Sequence, residues 1–290
     1  MNLNDLQTFV AIAELGSFSA AAERLNITQP AVSKRMANLE QAVGAQLIDR
    51  VGRTISLTAA GRAMLPQAQD ISSRTRDALR EVQALNNAVK GELRLATSHH
   101  IGLHRLAPVL EQFVQAYPDV QLNISFEDSE VAHQMVNHGS VELAVVTLDP
   151  NGESSLESQL IWEDPLCFVN RLTDESLQDP LELSALVEMP CVLPGSATYT
   201  GRIIMQAFEN AGLTLKPTMS TNYLETISML VSVGLGWSVL PINMADRLQH
   251  LSVKHPTLMR HLGVITNPNR VLSNPAKAFL ETLTSDLPHI

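Results

Sequence analysis

Cysteine is scarce in this chain. Cys167 and Cys191 are the only two among 290 residues. So few thiols offer no disulfide framework, and a reduced, cytoplasmic setting is expected. Long apolar runs are missing too. No stretch of eighteen consecutive apolar residues occurs, which argues against a transmembrane helix and leaves no membrane partner expected. The opening Met1-Asn-Leu-Asn-Asp5 has neither a basic segment nor an apolar core, so no secretory signal is expected. Catalytic signatures are also absent. There is no nucleophile elbow, P-loop, dinucleotide fingerprint or pair of catalytic carboxylates, so an α/β enzyme is the weaker alternative and no cofactor is expected.

What the chain does contain is a hydrophobic content of 45% against 17% charged residues, the balance of a folded globular protein. Its length predicts two or three domains. The net charge of −10 is unevenly spread. Residues 1–90 carry ten Lys/Arg and eight Asp/Glu, whereas residues 91–290 carry ten and twenty-two. A mildly basic head therefore precedes an acidic body. Phosphate attraction acts within a Debye length, so such a head can meet DNA despite the global charge.

The stretch Phe18 to Glu40 predicts two helices joined by a tight turn at Asn26-Ile27. The first, Phe18 to Leu25, is Ala-rich. Thr28 stands at the next N-cap, Gln29 and Pro30 fall in the first turn, and Ile27 can staple to Val32. Ala31, Val32, Met36, Leu39 and Val43 are expected to share a buried face. Gln29, Ser33 and Lys34, with Arg35 beside them, give another face the donors and acceptors of a major-groove reader. An ordinary surface helix with two basic residues is the alternative.

Residues 3–15 add a helix ending at Gly16. Gln46 to Leu57 alternates like a hairpin with Gly52 at its tip, and Arg50 and Arg53 beside it suit a wing touching phosphate or the minor groove. Beyond Thr58 a helix is expected to about Val89. Met64, Ile71, Ala78 and Leu85, interleaved with Ala68, Thr75, Val82 and Val89, form a heptad seam suited to pairing with a second copy. After Lys90-Gly91 strands and helices alternate. Short strands are expected at Leu166–Val169 and Leu262–Ile265 among others, giving parallel-rich sheets with ligand sites at strand carboxyl ends.

The chain resembles the LysR-type transcriptional regulators of bacteria over essentially its whole length. The head carries Thr28-Gln-Pro-Ala-Val-Ser33, Leu39-Glu40, Gly44, Arg50 and Leu57-Thr-Ala-Ala-Gly61 in that family's order. The body carries Gly91-Glu-Leu-Arg-Leu95, Gly139-Ser-Val-Glu-Leu-Ala-Val145, Leu230-Val-Ser-Val-Gly-Leu-Gly236 and Leu240-Pro241. Arg35 stands where the family often has Gln, Val43 where it has Leu, and Ile48 where it usually has Phe, so operator sequence is not inherited by analogy.

The resemblance implies an α + α/β architecture. A winged helix-turn-helix DNA-binding domain spans 1–57 and a dimerising linker helix 58–90. A periplasmic-binding-protein-like effector-binding domain spans 91–290, its subdomains at about 92–162 with 266–290 and at about 163–265. It also implies a homodimer or homotetramer on double-stranded operator DNA, a small-molecule co-inducer between the subdomains, and RNA polymerase as a further candidate partner. The DNA-binding residues would be Thr28, Gln29, Pro30, Ser33, Lys34, Arg35, Arg50 and Arg53. A cytoplasmic solute-binding protein is the other alternative, which the head argues against.

The loop Thr97 to His104 matches the family's effector-lining loop, with Ser98 at a recurring hydroxyl position. The helix start there offers free amides to a carboxylate or inorganic anion, and His99 and His100 could add donors. Ser196 and Thr198 in a second hydroxyl-rich loop, Thr147 after the third strand, and Tyr223 complete the candidate ring. For each hydroxyl a simple helix cap is the alternative. A metal is not expected, because no cysteine or carboxylate stands at ligand spacing beside His99, His100 and His104. Cys167 and Cys191 could form a redox pair, as in the peroxide-sensing branch of the family. Their apolar surroundings, with no adjacent base, read instead as structural burial.

Overall fold

The computed structural model describes residues 1–51, 54–84, 88–152, 155–171, 180–255 and 257–285. It divides into two compact units.

The first unit holds Met1–Ala88 together with His138–Ser140 and Asn269–Ser273. Helix α1, Leu3–Leu15, begins in a reciprocal cap: Asp5 N–H donates to Asn2 Oδ1 at 2.9 Å and Asn2 N–H to Asp5 Oδ2 at 3.0 Å. It stops at Gly16. Helix α2 is Phe18–Arg24 and α3 is Gln29–Val43. Between them Asn26, at φ 52°, is the one non-glycine with positive φ among the described residues. Asparagine tolerates that left-handed geometry, so the turn can be tight.

Phe9, Ile12, Phe18, Ala21, Val32, Met36, Leu39 and Leu47 form the core of this unit. Val43 departs from expectation and is 40% exposed. It is the last helical residue before Gly44, while Leu47 of the following segment is in the core. Strands β1, Ile48–Val51, and β2, Thr54–Leu57, pair antiparallel. Glu40 anchors the hairpin by accepting the Leu47 N–H at 2.8 Å and the Ile48 N–H at 3.3 Å.

Helix α4, Ala59–Ala84, starts under Thr58, whose hydroxyl accepts the Gly61 N–H at 3.0 Å. A Cβ at Gly61 would lie 2.0 Å from the Leu47 carbonyl oxygen, so only glycine lets helix and hairpin approach this closely. The seam is shorter than its heptads suggested. Ala68 is buried in the head core with Met64 packed against it, Leu85 lies outside the described residues, and Val89 is not helical. Ile71, Thr75, Ala78 and Val82 remain as an exposed stripe. Arg270, from Asn269–Ser273, pairs with Asp70 at 2.7 Å and Asp77 at 3.1 Å.

The second unit spans Val89–Asn137, Val141–Pro268 and Asn274–Ile290. Strand β3, Gly91–Thr97, leads into one helical run of α5, His99–Ile101, a π-helical turn, Gly102–Leu106, and α6, Ala107–Ala116. Then come β4, Val120–Phe126, α7, Ser129–Asn137, β5, Leu143–Thr147, and β6, Glu157–Asn170. The chain continues through α8, Leu183–Val187, β7, Val192–Leu193, α9, Tyr199–Asn210, β8, Met219–Ser220, and α10, Leu224–Ser232. It closes with β9, Ser238–Pro241, β10, Gln249–His250, β11, Leu258–Thr266, and α11, Asn274–Ser285.

The main sheet runs β10-β6-β11-β5-β3-β4, with β9 also on β6. Only part of it is parallel: β3 runs with β4 and β5, while β6 and β11 are antiparallel to every neighbour. The short strands expected at Leu166–Val169 and Leu262–Ile265 are instead fourteen and nine residues long. They pair from Leu166↔Leu258 to Glu157↔Thr266 and carry the sheet from one lobe into the other. The exposed start of β6, Glu157–Leu160, hides its extent from hydrophobic patterning.

Separate cores mark the lobes. Ala96, Ala132, Val136, Ala144, Val146 and Ile265 fill the first. The second packs Phe168, Phe208 and Trp237 on one side of its strands and Val169, Leu224, Ile227 and Leu240 on the other. Trp237 is fully buried, and its indole N–H donates to the Leu186 carbonyl at 2.9 Å, so its polar tip is satisfied. Cys191 is buried and Cys167 half-buried, both free. Burial raises both thiols, Cys167 to about 11, which keeps them protonated.

Candidate functional site

On α3 the buried side of Val32, Met36 and Leu39 fixes which residues face out. Gln29, Pro30 and Lys34 are exposed, and Ser33 and Arg35 half-buried. Thr28 occupies the N-cap but its hydroxyl makes no cap hydrogen bond. The first amides of α3 therefore receive no cap from that hydroxyl, an arrangement that suits a phosphate. Residues two apart lie about 200° apart around a helix, so Ser33 and Arg35 occupy opposite edges of the exposed face. Arg50 lies in β1, which pairs antiparallel with β2. Arg53, the other arginine expected in the wing, lies outside the described residues.

The body holds a cavity of about 220 Å³ lined by both lobes. Six of the seven expected residues meet there: Ser98, His99, His100, Thr147, Thr198 and Tyr223. Ser196 does not. The Thr198 N–H bonds to the Gly195 carbonyl at 2.9 Å and closes a turn, and Ser196 lines a different depression beside Arg202 and Gln206. Thr198 itself acts as a helix cap. Its hydroxyl accepts the Gly201 N–H at 3.0 Å and donates to the Gly195 carbonyl at 2.7 Å. Ser98 stands at the N-cap of α5 with no cap hydrogen bond from its hydroxyl. The His99 ring meets Tyr223 edge-on at 5.5 Å and Phe126 at 6.1 Å.

The sequence reading missed the charged residues of this cavity. Arg260 on β11 is buried against Asp164, its Nε 3.0 Å from Oδ2, and its Nη1 donates to the Thr200 hydroxyl at 3.2 Å. Arg105 reaches the same carboxylate at 3.0 Å. Glu130, in the first turn of α7, accepts the Tyr199 N–H at the start of α9. Asn222 donates to Asp128 Oδ2 at 2.6 Å. Glu225 accepts from His104 Nε2 at 3.0 Å when that nitrogen carries the proton. A carboxylate just past a strand end, as at Glu130, carries a usable signal. Arg260 carries none, because only the register of β11 turns it inward.

Titration follows from these surroundings. Burial, then the charge of Arg260, lowers His100 to about 4, so it is neutral at pH 7. Burial raises the Glu130 carboxyl, against the opposing effect of backbone hydrogen bonds. Burial also raises the Tyr199 phenol to about 12 and lowers Arg260, whose charge Asp164 supports. At Glu225 burial pushes upward, but a backbone amide and the two histidines outweigh it and hold the carboxyl low.

A helix-turn-helix head with an open polar face, followed by a two-lobed cleft, defines a regulator class, and comparison supplies the family. Residues 3–62 match the bacterial regulatory helix-turn-helix proteins of the lysR family, and residues 86–288 match the LysR substrate binding domain. An Azotobacter vinelandii HTH-type transcriptional regulator encoded in an ibpB-leuC intergenic region is 58% identical over 108 residues, 37% of this chain and 75% of that protein. The transcriptional activator CmpR of Synechocystis sp. is 30% identical across 97% of this chain and 94% of its own. Full-length CbnR, solved in complex with its target DNA, shares the fold at a TM-score of 0.64 with 20% identity, covering 98% of this chain and 99% of that one. The chain belongs to the LysR family of transcriptional regulators. Among the described residues no helix is long and apolar enough to cross a membrane.

Proposed function

We propose that this chain is a sequence-specific regulator whose operator binding or DNA bending responds to a small molecule held in the body, with no catalytic activity. The supporting observation is the pairing of two sites. One is the outward polar face of α3, with Gln29, Ser33, Lys34 and Arg35 over a firm core. The other is an internal cavity lined from both lobes. The assigned regions are a DNA-binding domain over 1–57, a linker over 58–90 and an effector-binding domain over 91–290. The exposed stripe Ile71, Thr75, Ala78 and Val82 supports pairing with a second copy, which would place two α3 helices on related half-sites.

The proposed effector is small. Pockets for drug-sized ligands run to roughly 300–1,000 Å³, above the 220 Å³ found here. Its anionic end, a carboxylate or inorganic oxyanion, would face the α5 amides at Ser98–His100 and the Thr200–Arg260 side. Asp128 and Glu130 add acceptors for a hydrogen-bond donor elsewhere on the molecule. Such an effector competes with the Glu130 and Asn222 bonds that already cross the cleft. Binding therefore has a route to alter the lobes' mutual setting.

Selection from a random duplex pool with the full chain tests the DNA reading. Enrichment of one partly symmetric site supports it, and salt-sensitive binding with no sequence preference overturns it. Thermal-shift screening of carboxylates and oxyanions against wild type and Ser98→Ala tests the cavity. The reading predicts a stabilising ligand whose effect the variant loses; an equal response in both removes Ser98 from the site.

A further inference from the structure

His100, His104 and Glu225 are far apart in sequence and adjacent in space. Four positions separate the histidines along one helical run, so both rings fall on the same side. The π-helical turn Gly102–Leu106 begins between them, a backbone irregularity often found at functional sites. Glu225 comes from the first turn of α10 in the other lobe. One ligand atom from each, a ring nitrogen of either histidine and a carboxylate oxygen of Glu225, lies within 4.8 Å of the other two. His104 Nε2 is 3.0 Å and His100 Nδ1 3.7 Å from Glu225 Oε1.

Two groups in this cluster lack partners. His100 is only 5% exposed, yet neither ring nitrogen has a hydrogen-bond partner, and Glu225 Oε2 is likewise buried and unpaired. Unsatisfied buried polar atoms are costly and call for an explanation. The nearby cation Arg260 is already bonded to Asp164.

From this geometry we propose that His100, His104 and Glu225 bind a divalent transition-metal ion of the zinc class, joining the two lobes of the body. Two histidines and one glutamate are a recurrent zinc ligand set, with ligand bonds of about 2.0–2.2 Å. Such bonds separate tetrahedral ligand atoms by roughly 3.4 Å, a value the distances of 3.0 and 3.7 Å bracket. A three-ligand site leaves a fourth position, and His100 and Glu225 both line the cavity toward which it can open. The site borders the effector cavity through His100 and Glu225, but metal binding needs no effector.

The test is Zn²⁺ titration of the tag-free, chelator-stripped full chain against a chromophoric competitor, with Co²⁺ absorption reporting the ligand field. Wild type should bind one equivalent and show four-coordinate Co²⁺ bands. His104→Ala and Glu225→Gln should each weaken binding by at least about tenfold and lose those bands. Far-UV dichroism of each variant confirms folding; His104 is exposed, so its loss leaves the core intact. His250→Ala, an exposed histidine on β10, should bind as wild type does. Equal affinity in wild type, His104→Ala and Glu225→Gln, or a comparable loss in His250→Ala, would overturn the site in favour of adventitious surface binding.

Discussion

The recognition face of the head and the cleft of the body treat polar groups in opposite ways. On α3, Gln29 and Lys34 stand exposed over a hydrophobic floor, and the Thr28 hydroxyl leaves the helix start uncapped. In the cleft, polar groups bond one another: Arg260 to Asp164 and Thr200, Glu130 to the Tyr199 amide, Asn222 to Asp128. The head can engage a ligand surface by exchanging water. A cleft ligand must instead replace bonds already made, which couples its binding to the arrangement of the lobes. Losses should therefore appear as altered binding in the head and as altered stability in the body.

The largest effect should come from Arg260→Ala. It leaves the buried Asp164 with Arg105 alone, and breaking a buried ion pair typically costs about 3–5 kcal/mol. Urea unfolding of the full chain measures it; a change below about 1 kcal/mol would mean the pair does not hold the body together. Next, Val82→Asp places a charge on the α4 stripe, where Val82 is 65% exposed. If two copies pair there, association should weaken by about 2 kcal/mol or more, with monomer stability little changed. Unaltered sedimentation would move self-association elsewhere.

In the head, the double change Ser33→Ala with Arg35→Ala should act on DNA binding and hardly on stability. Each lost base contact is worth about 1–3 kcal/mol of specific DNA binding. Stability should move by no more than about 0.5 kcal/mol, since neither side chain is in the core. Gel shift and thermal melting together separate the two readouts. A large stability loss with unchanged DNA affinity would invert the contrast between head and body.

Legibility in the sequence divides along the same line. The head's site is local: helix periodicity, the Thr28 cap position and Gly44 place every outward residue within one helix. Where the pattern fails, tertiary packing decides: Val43 stays exposed while Leu47 and Ala68 join the head core. In the body, loops following strands pointed to Ser98, Thr147 and Thr198, because a ligand gathers at strand ends whatever the register. Arg260, Asp164 and Glu225 were invisible. Their roles depend on the β6–β11 pairing and on α10 meeting the π-helical turn, with hydrogen bonds spanning 96 and 121 residues and no local trace. The cluster of His100, His104 and Glu225 is hidden for the same reason, since its carboxylate is remote in the chain.

The finest test of the contrast is Glu130, whose carboxylate bridges the lobes at the Tyr199 amide. Burial raises its pKa above the ordinary glutamate value. An acid raised in the folded state binds more protons folded than unfolded through that window. Its contribution to stability is thus full below the unfolded pKa and declines as pH rises through the folded one. Glu130→Gln keeps an acceptor for the amide and removes the ionisation. Urea midpoints between about pH 4 and pH 7 should fall with pH more steeply in wild type than in the variant. Because the side chain is half-exposed, the difference should be a few tenths of a kcal/mol. Parallel curves would assign the slope to another group and leave Glu130 a neutral acceptor. The sloped outcome would show that folding disfavours the ionisation of this cleft carboxylate.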